Sequence, residues 1–262
     1  VEKLEAEQAF LEAIKVEPDY WFTYHTFATF LTRLSRLDEA VVQLRKALDI
    51  VPTSVASLNN IANILYRQGK TGEAEQYWKK SLSISTDNPF AYSGLGILFH
   101  YKREYQTAVD YFLLGTQYAA DNHQLWGRMG ESYRLIPNKG DEATAAFNKA
   151  IEIATARAQN NPTHWQTQGY LALYQAYVGN LDAANAHLTA TMALNATNEP
   201  QVHYWRALVA EQTGDHEEVF TQLELALKHG WSAQKRFIAD EPALDTFKAT
   251  YPDRFADLLA RY

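Results

Sequence analysis

Asn59, Asn60 and Asn63, followed by Arg67, and further on Arg128 and Arg134, are side chains whose chemistry suits recognition. An Asn amide both donates and accepts hydrogen bonds, so it can satisfy the backbone of an extended peptide. An Arg guanidinium can clamp a carboxylate through two parallel hydrogen bonds. Catalytic chemistry finds no comparable constellation. No phosphate loop of the G-x-x-x-x-G-K-S/T type occurs. Gly94-Leu95-Gly96 lies in a helical pattern and reads as helix packing rather than a cofactor loop. His216-Glu217-Glu218 stands at a helix start, where acidic residues favour the dipole, and the segment has too few ligands for a metal. There is neither an H-E-x-x-H nor a G-x-S-x-G, and His100 and His123 read as structural. Cysteine is absent, which excludes thiolate chemistry. The expectation is a non-enzyme without cofactor or metal. Asn195-Ala196-Thr197 matches the glycosylation sequon by pattern alone.

The elements that position these residues follow from internal periodicity. Small residues recur at one constant interval, at Ala6, Ala40, Ala74 and Ala108. Large side chains follow at Phe10, Leu44, Trp78 and Phe112, then small ones at Ala13, Ala47, Ser81 and Gly115. Ala28, Ala62 and Gly96 keep the same period, and so do Pro18 and Pro52. Leu58, Ile61, Ala62 and Leu65 fall at i, i+3, i+4 and i+7, one face of a helix. Gly69 stops that helix before the next begins. Each period is therefore a helix, a tight turn and an antiparallel helix. The aromatic residues Trp78, Phe112, Phe147, Trp126 and Tyr133 belong to the packing stripe. Of Trp21 and Phe22, one must point away from it.

The register drifts later. Trp126, Gly130, Tyr133, Ala143, Phe147 and Ala150 form a unit with one residue inserted near Pro137-Asn138-Lys139-Gly140. Its second helix continues to Asn160, about two turns longer than its predecessors. Ala172, Gly179, Ala184 and Leu188 match Ala207, Gly214, Val219 and Leu223 at a step of 35. The period ends after Ala226. The expected organisation is an N-terminal sub-array over 1–161, with half a unit and four full ones, two further units over 162–230, and capping helices over 231–262. A repeat stack needs such an atypical terminal unit to cover its last apolar face.

The sequence resembles the tetratricopeptide repeat family. Ala28, Ala40, Leu44, Ala47 and Pro52 carry its signature in one unit, Ala62, Ala74, Trp78 and Ser81 in the next, and Gly96, Ala108, Phe112 and Gly115 in a third. The resemblance implies an all-α, right-handed superhelical solenoid of antiparallel helix pairs that binds a polypeptide on its concave face. It also implies that the first helix of each unit lines that face. Matching the register puts His25 and Arg33, then Asn59, Asn60, Asn63, Tyr66 and Arg67, then His100 and Tyr101, then Arg128 and Arg134 in the groove. Phe22, Thr29, Phe90, Ser93, Ile97 and Glu131 accompany them. Some family members hold a chaperone's C-terminal carboxylate with two Lys, two Asn and one Arg. Asn63 and Arg128 match two of those places, but Asn59, Gly94 and Gln124 stand at the others, which disfavours that ligand.

The tail also resembles the ends of such arrays in bacterial multidomain signalling proteins, on Gly230-Trp231, Asp240-Glu241-Pro242-Ala243-Leu244 and Pro252-Asp253-Arg254-Phe255. This implies two rival roles: a scaffold for a separate protein, or a regulatory region acting on an attached kinase, cyclase or winged-helix domain. A third role is self-association through the helix from Leu4 to Val16, whose apolar face lacks its usual partner.

Composition sets outer limits. Apolar residues are 47% and charged residues 21%, which excludes a disordered chain. Twelve Gly and eight Pro are too few for the turns of an all-β chain of 262 residues. With 24 basic and 31 acidic residues the net charge is −7, which argues against a broad nucleic-acid surface but leaves room for a locally basic groove. No apolar run reaches transmembrane length. Val1-Glu2-Lys3-Leu4-Glu5 has neither an initiator Met nor a signal-peptide core, and reads as a processed or truncated start. The absence of cysteine favours a cytoplasmic setting, with a periplasmic one left open.

Overall fold

A computed structural model describes residues 2–194, 198–231 and 235–262; Val1 and the Asn195-Ala196-Thr197 sequon lie outside the described residues. The described residues contain helices and no strand. The chain divides into two compact units, Val1–Leu98 and Phe99–Tyr262.

The first unit holds α1 (Glu2–Val16), α2 (Trp21–Arg33), α3 (Leu37–Ile50), α4 (Val55–Arg67) and α5 (Thr71–Ile84). It also takes in most of α6 (Pro89–Tyr101). Helix α2 packs on α3, and α4 on α5. The periodic small residues sit where backbones approach. Ala28, Ala40, Ala47, Ala62 and Ala74 are all buried, and Leu44 and Trp78 fill the space between pairs. Gly94 shows why that position stays small: a Cβ there would lie 2.2 Å from the Trp78 ring. Ser54 caps α4, its side chain accepting from the Ser57 amide at 3.4 Å, which satisfies one of the helix's free N–H groups.

Helix α1 has the same register as α3 and α5 but a different environment. Phe10 stacks on Phe27, with ring centres 5.1 Å apart. Ala13, whose counterparts Ala47 and Ser81 are buried, is exposed, and Leu4 and Val16 are 73% and 78% exposed.

The second unit continues with α7 (Tyr105–Tyr118), α8 (His123–Arg134), α9 (Gly140–Asn160), α10 (Trp165–Tyr177), α11 (Leu181–Ala193), α12 (Pro200–Thr213) and α13 (His216–Ala226). Helices α8 and α9, α10 and α11, and α12 and α13 pack as pairs. Helix α9 has 21 residues against 14 residues in α7, an excess of two turns, as the sequence suggests. Close approach recurs here: a Cβ on Gly169 would meet the Trp205 ring at 1.9 Å.

After Ala226 the chain makes a wide helical turn, Leu227–Trp231, in which Gly230 has φ 132°. It then forms α14 (Lys235–Asp240), a 3-10 turn (Pro242–Leu244), α15 (Asp245–Thr250) and α16 (Pro252–Ala260). Ile238, Leu244, Phe247, Phe255 and Leu258 are buried in one core with Phe220 and Leu223 of α13 and Leu208 of α12. Arg254 reinforces this contact, pairing with Glu217 and lying 3.8 Å from the centre of the Phe220 ring.

The turns repeat as faithfully as the helices. Ser35, Gly69, Arg103, Asn138, Gly179 and Gly214 all have positive φ, from 60° to 85°. Glycine adopts this conformation freely, and Asn adopts it readily. For Ser35 and Arg103 it costs about 1–2 kcal/mol. These two residues keep a strained backbone where the repeat has a glycine place.

Among the described residues, no helix is long and apolar enough to cross a membrane.

Candidate functional site

In the first unit, α2 and α4 frame an open cleft of about 280 Å³. Thr29, Thr32 and Arg33 face it from α2, and Asn60, Asn63, Ile64 and Arg67 from α4. The i, i+3, i+4 and i+7 spacing of the residues from Asn60 to Arg67 puts them on one side of α4. Asn63 and Arg33 are exposed, while Asn60 and Arg67 are half-buried. Burial pulls the Arg67 guanidinium below its ordinary pKa, because a charge leaving water loses hydration. His25 sits beside the cleft and organises it. Its Nδ1 is 3.0 Å from the Ser57 hydroxyl, and its Nε2 is 3.5 Å from the Asn60 amide nitrogen. Burial lowers the His25 pKa, so the ring is neutral at pH 7 and exchanges hydrogen bonds rather than charge.

Two of the residues placed in this groove by register are elsewhere. Asn59 is one step of about 100° from Asn60 and turns inward. It is 7% exposed, and its amide nitrogen donates to Asn88 Oδ1 at 3.1 Å. Asn88 in turn donates to Ser81 at 2.8 Å, so this is a buried polar ladder that locks helices together. Tyr66 is half-buried with its ring centre 5.8 Å from that of Trp78, and it does not line the cleft.

The second unit places the remaining residues around a different centre. His100 is 3% exposed, and its Nδ1 is 2.9 Å from the Ser132 hydroxyl. Burial drives its pKa down to about 4, so it is a neutral packing group and not a groove contact. The Tyr101 hydroxyl donates to Glu241 Oε2 at 3.0 Å, and the buried Tyr204 hydroxyl donates to the same oxygen. The other oxygen, Oε1, accepts the Ala243 amide at 3.1 Å. Glu241 is only 6% exposed and is thus fully engaged by groups from α6, α12 and its own turn. Phe237 adds an edge contact to Tyr101, with ring centres 5.9 Å apart.

Charge surrounds this carboxylate. Arg128 pairs with Glu131 at 2.8 Å, and burial pushes the Glu131 carboxyl up against the opposing pull of that guanidinium. Arg134 donates to Gln212 Oε1 at 2.8 Å and lies 4.2 Å from the centre of the Tyr177 ring. Arg103 pairs with Asp245 through both its terminal nitrogens, and Lys248 joins the same carboxylate at 2.9 Å. Burial disfavours the charge on Asp245, but these hydrogen bonds outweigh it and hold the carboxyl below its ordinary pKa.

Glu241, Tyr204, Arg103 and Asp245 were not singled out as site residues by the sequence. One signal existed for Arg103: it stands one full period after Gly69, a bulky residue at a glycine place. No comparable signal connects Glu241 to Tyr101, which is 140 residues away.

The tetratricopeptide repeat family model matches residues 54–86, and a second model of the same description matches residues 171–231. The "TPR repeat-containing protein MJ1428" of Methanocaldococcus jannaschii is 24% identical over 209 residues, covering 74% of this chain and 35% of the relative. The "Peroxisomal targeting signal receptor" of Eremothecium gossypii is 26% identical over 121 residues, covering 46% of this chain and 20% of the relative. The chain thus spans no more than about a third of the length of these relatives. Among solved structures, the APC/C hetero-tetramer Cut9–Hcn1 aligns with a TM-score of 0.66 at 17% identity, covering 99% of this chain and 46% of that one. That likeness is one of fold. The repeating register, the antiparallel pairs and the two matched segments agree: residues 54–86 and 171–231 of this chain are tetratricopeptide repeats.

Proposed function

We propose that this chain is a protein–protein interaction scaffold, and that it holds a polypeptide segment in the cleft between α2 and α4. The observation that carries this reading is the uncommitted polar chemistry of the cleft. Arg33, Asn63 and Arg67 line it, and none of them has a hydrogen bond or ion pair within the described residues. Asn63 can serve both backbone groups of an extended strand, and the two guanidiniums can hold acidic groups. Helices α2 and α4 each pack along a partner, α3 and α5, which lowers the ordering needed on binding. The receptors for a peroxisomal targeting signal among the relatives accord with recognition of a peptide. The likeness of the tail to bacterial signalling arrays suggests a signalling or assembly system as the setting.

The test is site-specific photo-crosslinking. A crosslinker at position 63 in the full chain should capture polypeptides from a proteome, and one at position 79, on the exposed side of α5, should not. Equal capture from both positions would remove the cleft as the binding face.

The exposed apolar face of α1 favours a second reading, self-association. Leu4 and Leu11, seven residues apart on one side of the helix, are 73% and 47% exposed there. Sedimentation velocity would show dimers that vanish in Leu4→Glu/Leu11→Glu. A monomer at every concentration would end this reading.

A further inference from the structure

Two faces of this protein offer the same kind of position, and one of them already holds an anion. Arg33, Arg67 and Tyr101 follow one another at the repeat interval, so they occupy one register place in three successive repeats. In the second unit, Tyr101 donates its hydroxyl proton to the carboxylate of Glu241, a residue of the chain's own tail. In the first unit, Arg33 and Arg67 line a single cleft and have no such partner.

Four acids on the neighbouring helices α1, α3 and α5 have partners of their own. Glu7 and Glu39 both pair with Arg36, at 2.6 and 2.5 Å. Glu73 lies 3.6 Å from Arg45, and Asp38 accepts from Gln68 at 2.9 Å. Two cations therefore line one cleft, and none of its described lining residues is acidic. There a carboxylate would interact more strongly than it would in open water.

We propose that the cleft between α2 and α4 binds a carboxylate-bearing segment of a partner protein through Arg33 and Arg67, in the way that Tyr101 and Tyr204 hold Glu241 within the chain. This rests on the scaffold reading above and specifies its ligand. Burial of Arg67 supports it, since a half-buried guanidinium loses hydration that an incoming carboxylate replaces. Asn63 takes the neighbouring backbone groups, and Asn60 is oriented by its contact with His25.

The experiment presents the full chain with three soluble peptide libraries, alike except for a fixed central pair: Asp-Glu, Asn-Gln, or two phosphoserines. The Asp-Glu library should be enriched, and its best member should weaken with added salt. Affinity should fall by about tenfold to a hundredfold in Arg33→Gln/Arg67→Gln and recover partly in Arg33→Lys/Arg67→Lys. Circular dichroism of each variant confirms that the helices persist. The inference is overturned by equal enrichment of the Asn-Gln library, by enrichment of the phosphoserine library alone, or by full affinity in the Gln double variant. Enrichment of neutral peptides that is lost in Asn60→Ala/Asn63→Ala sinks the acidic ligand but spares the scaffold. Enrichment of no peptide sinks both.

Discussion

The two units use one repeat grammar toward opposite ends. In the first, the groove-facing cations are left without partners, and the cleft between α2 and α4 stays open. In the second, the equivalent face is closed by the chain itself. Glu241 is held by Tyr101 and Tyr204, Asp245 by Arg103 and Lys248, and Arg134 by Gln212. A helix-pair repeat fixes where a side chain is presented, but the non-repeating segment decides whether it is available. Binding capacity in such an array is therefore distributed unevenly along the register, and a count of suitable residues overstates it.

Acid should separate the two units most clearly. The buried rings of His100 and His123 have their pKa pushed from 6.5 to about 4, chiefly by burial. Both groups take up a proton more readily when unfolded. Their stabilising neutrality is thus complete above about pH 6.5 and is lost progressively as pH falls toward 4, by up to about 3 kcal/mol for each. Urea titrations should show this loss, and His100→Gln/His123→Gln should flatten it. A pH-independent midpoint in the parent chain would contradict the burial of these rings.

Next in size is Glu241→Ala. It strips the shared acceptor from the Tyr101 and Tyr204 hydroxyls, and loss of this acceptor at the buried Tyr204 should cost about 1–3 kcal/mol. Arg33→Ala and Arg67→Ala in the open cleft should each change stability by less than about 0.5 kcal/mol. If all three changes cost the same, the two faces are not different in kind. Gly169→Ala should destabilise by about 1–3 kcal/mol, because the Trp205 ring must move aside. A thermal melt reads this directly, and an unchanged midpoint would mean that the ring relocates freely. The smallest effects concern the turns. Ser35→Gly relieves a left-handed backbone and should add about 1 kcal/mol. Arg103→Gly relieves the same strain but forfeits its exposed pair with Asp245, worth at most about 1 kcal/mol, so it should come out near zero.

The helix pairs were legible because their determinants are local. Ala40, Ala74 and Ala108 repeat at the one spacing that lets successive helix pairs nest, and the run from Ala143 to Asn160 announces the length of α9. The cleft was half legible. Arg33, Asn60, Asn63 and Arg67 face it as the register says. Asn59 does not, since a one-residue step on a helix is enough to exchange solvent for core. The closure of the second unit was not legible. The register puts Arg128 and Arg134 in the groove, yet Arg128 pairs with Glu131 on its own helix and Arg134 reaches Gln212 of α12, a pairing between distant repeats. A pairing such as Tyr101 with Glu241 depends on where an aperiodic chain comes to rest, and no spacing encodes that.

The bare face of α1 has a kinetic consequence. In a stack held by nearest-neighbour contacts, an element gains protection from each neighbour that covers it. Helix α3 has α2 on one side and α4 on the other, whereas α1 leans on α2 and leaves Ala13, Leu4 and Val16 open. Its amides should therefore exchange with deuterated solvent well before those of α3, through local fraying that leaves the remaining helices folded. Helix α1 should then melt and re-form more often than α3.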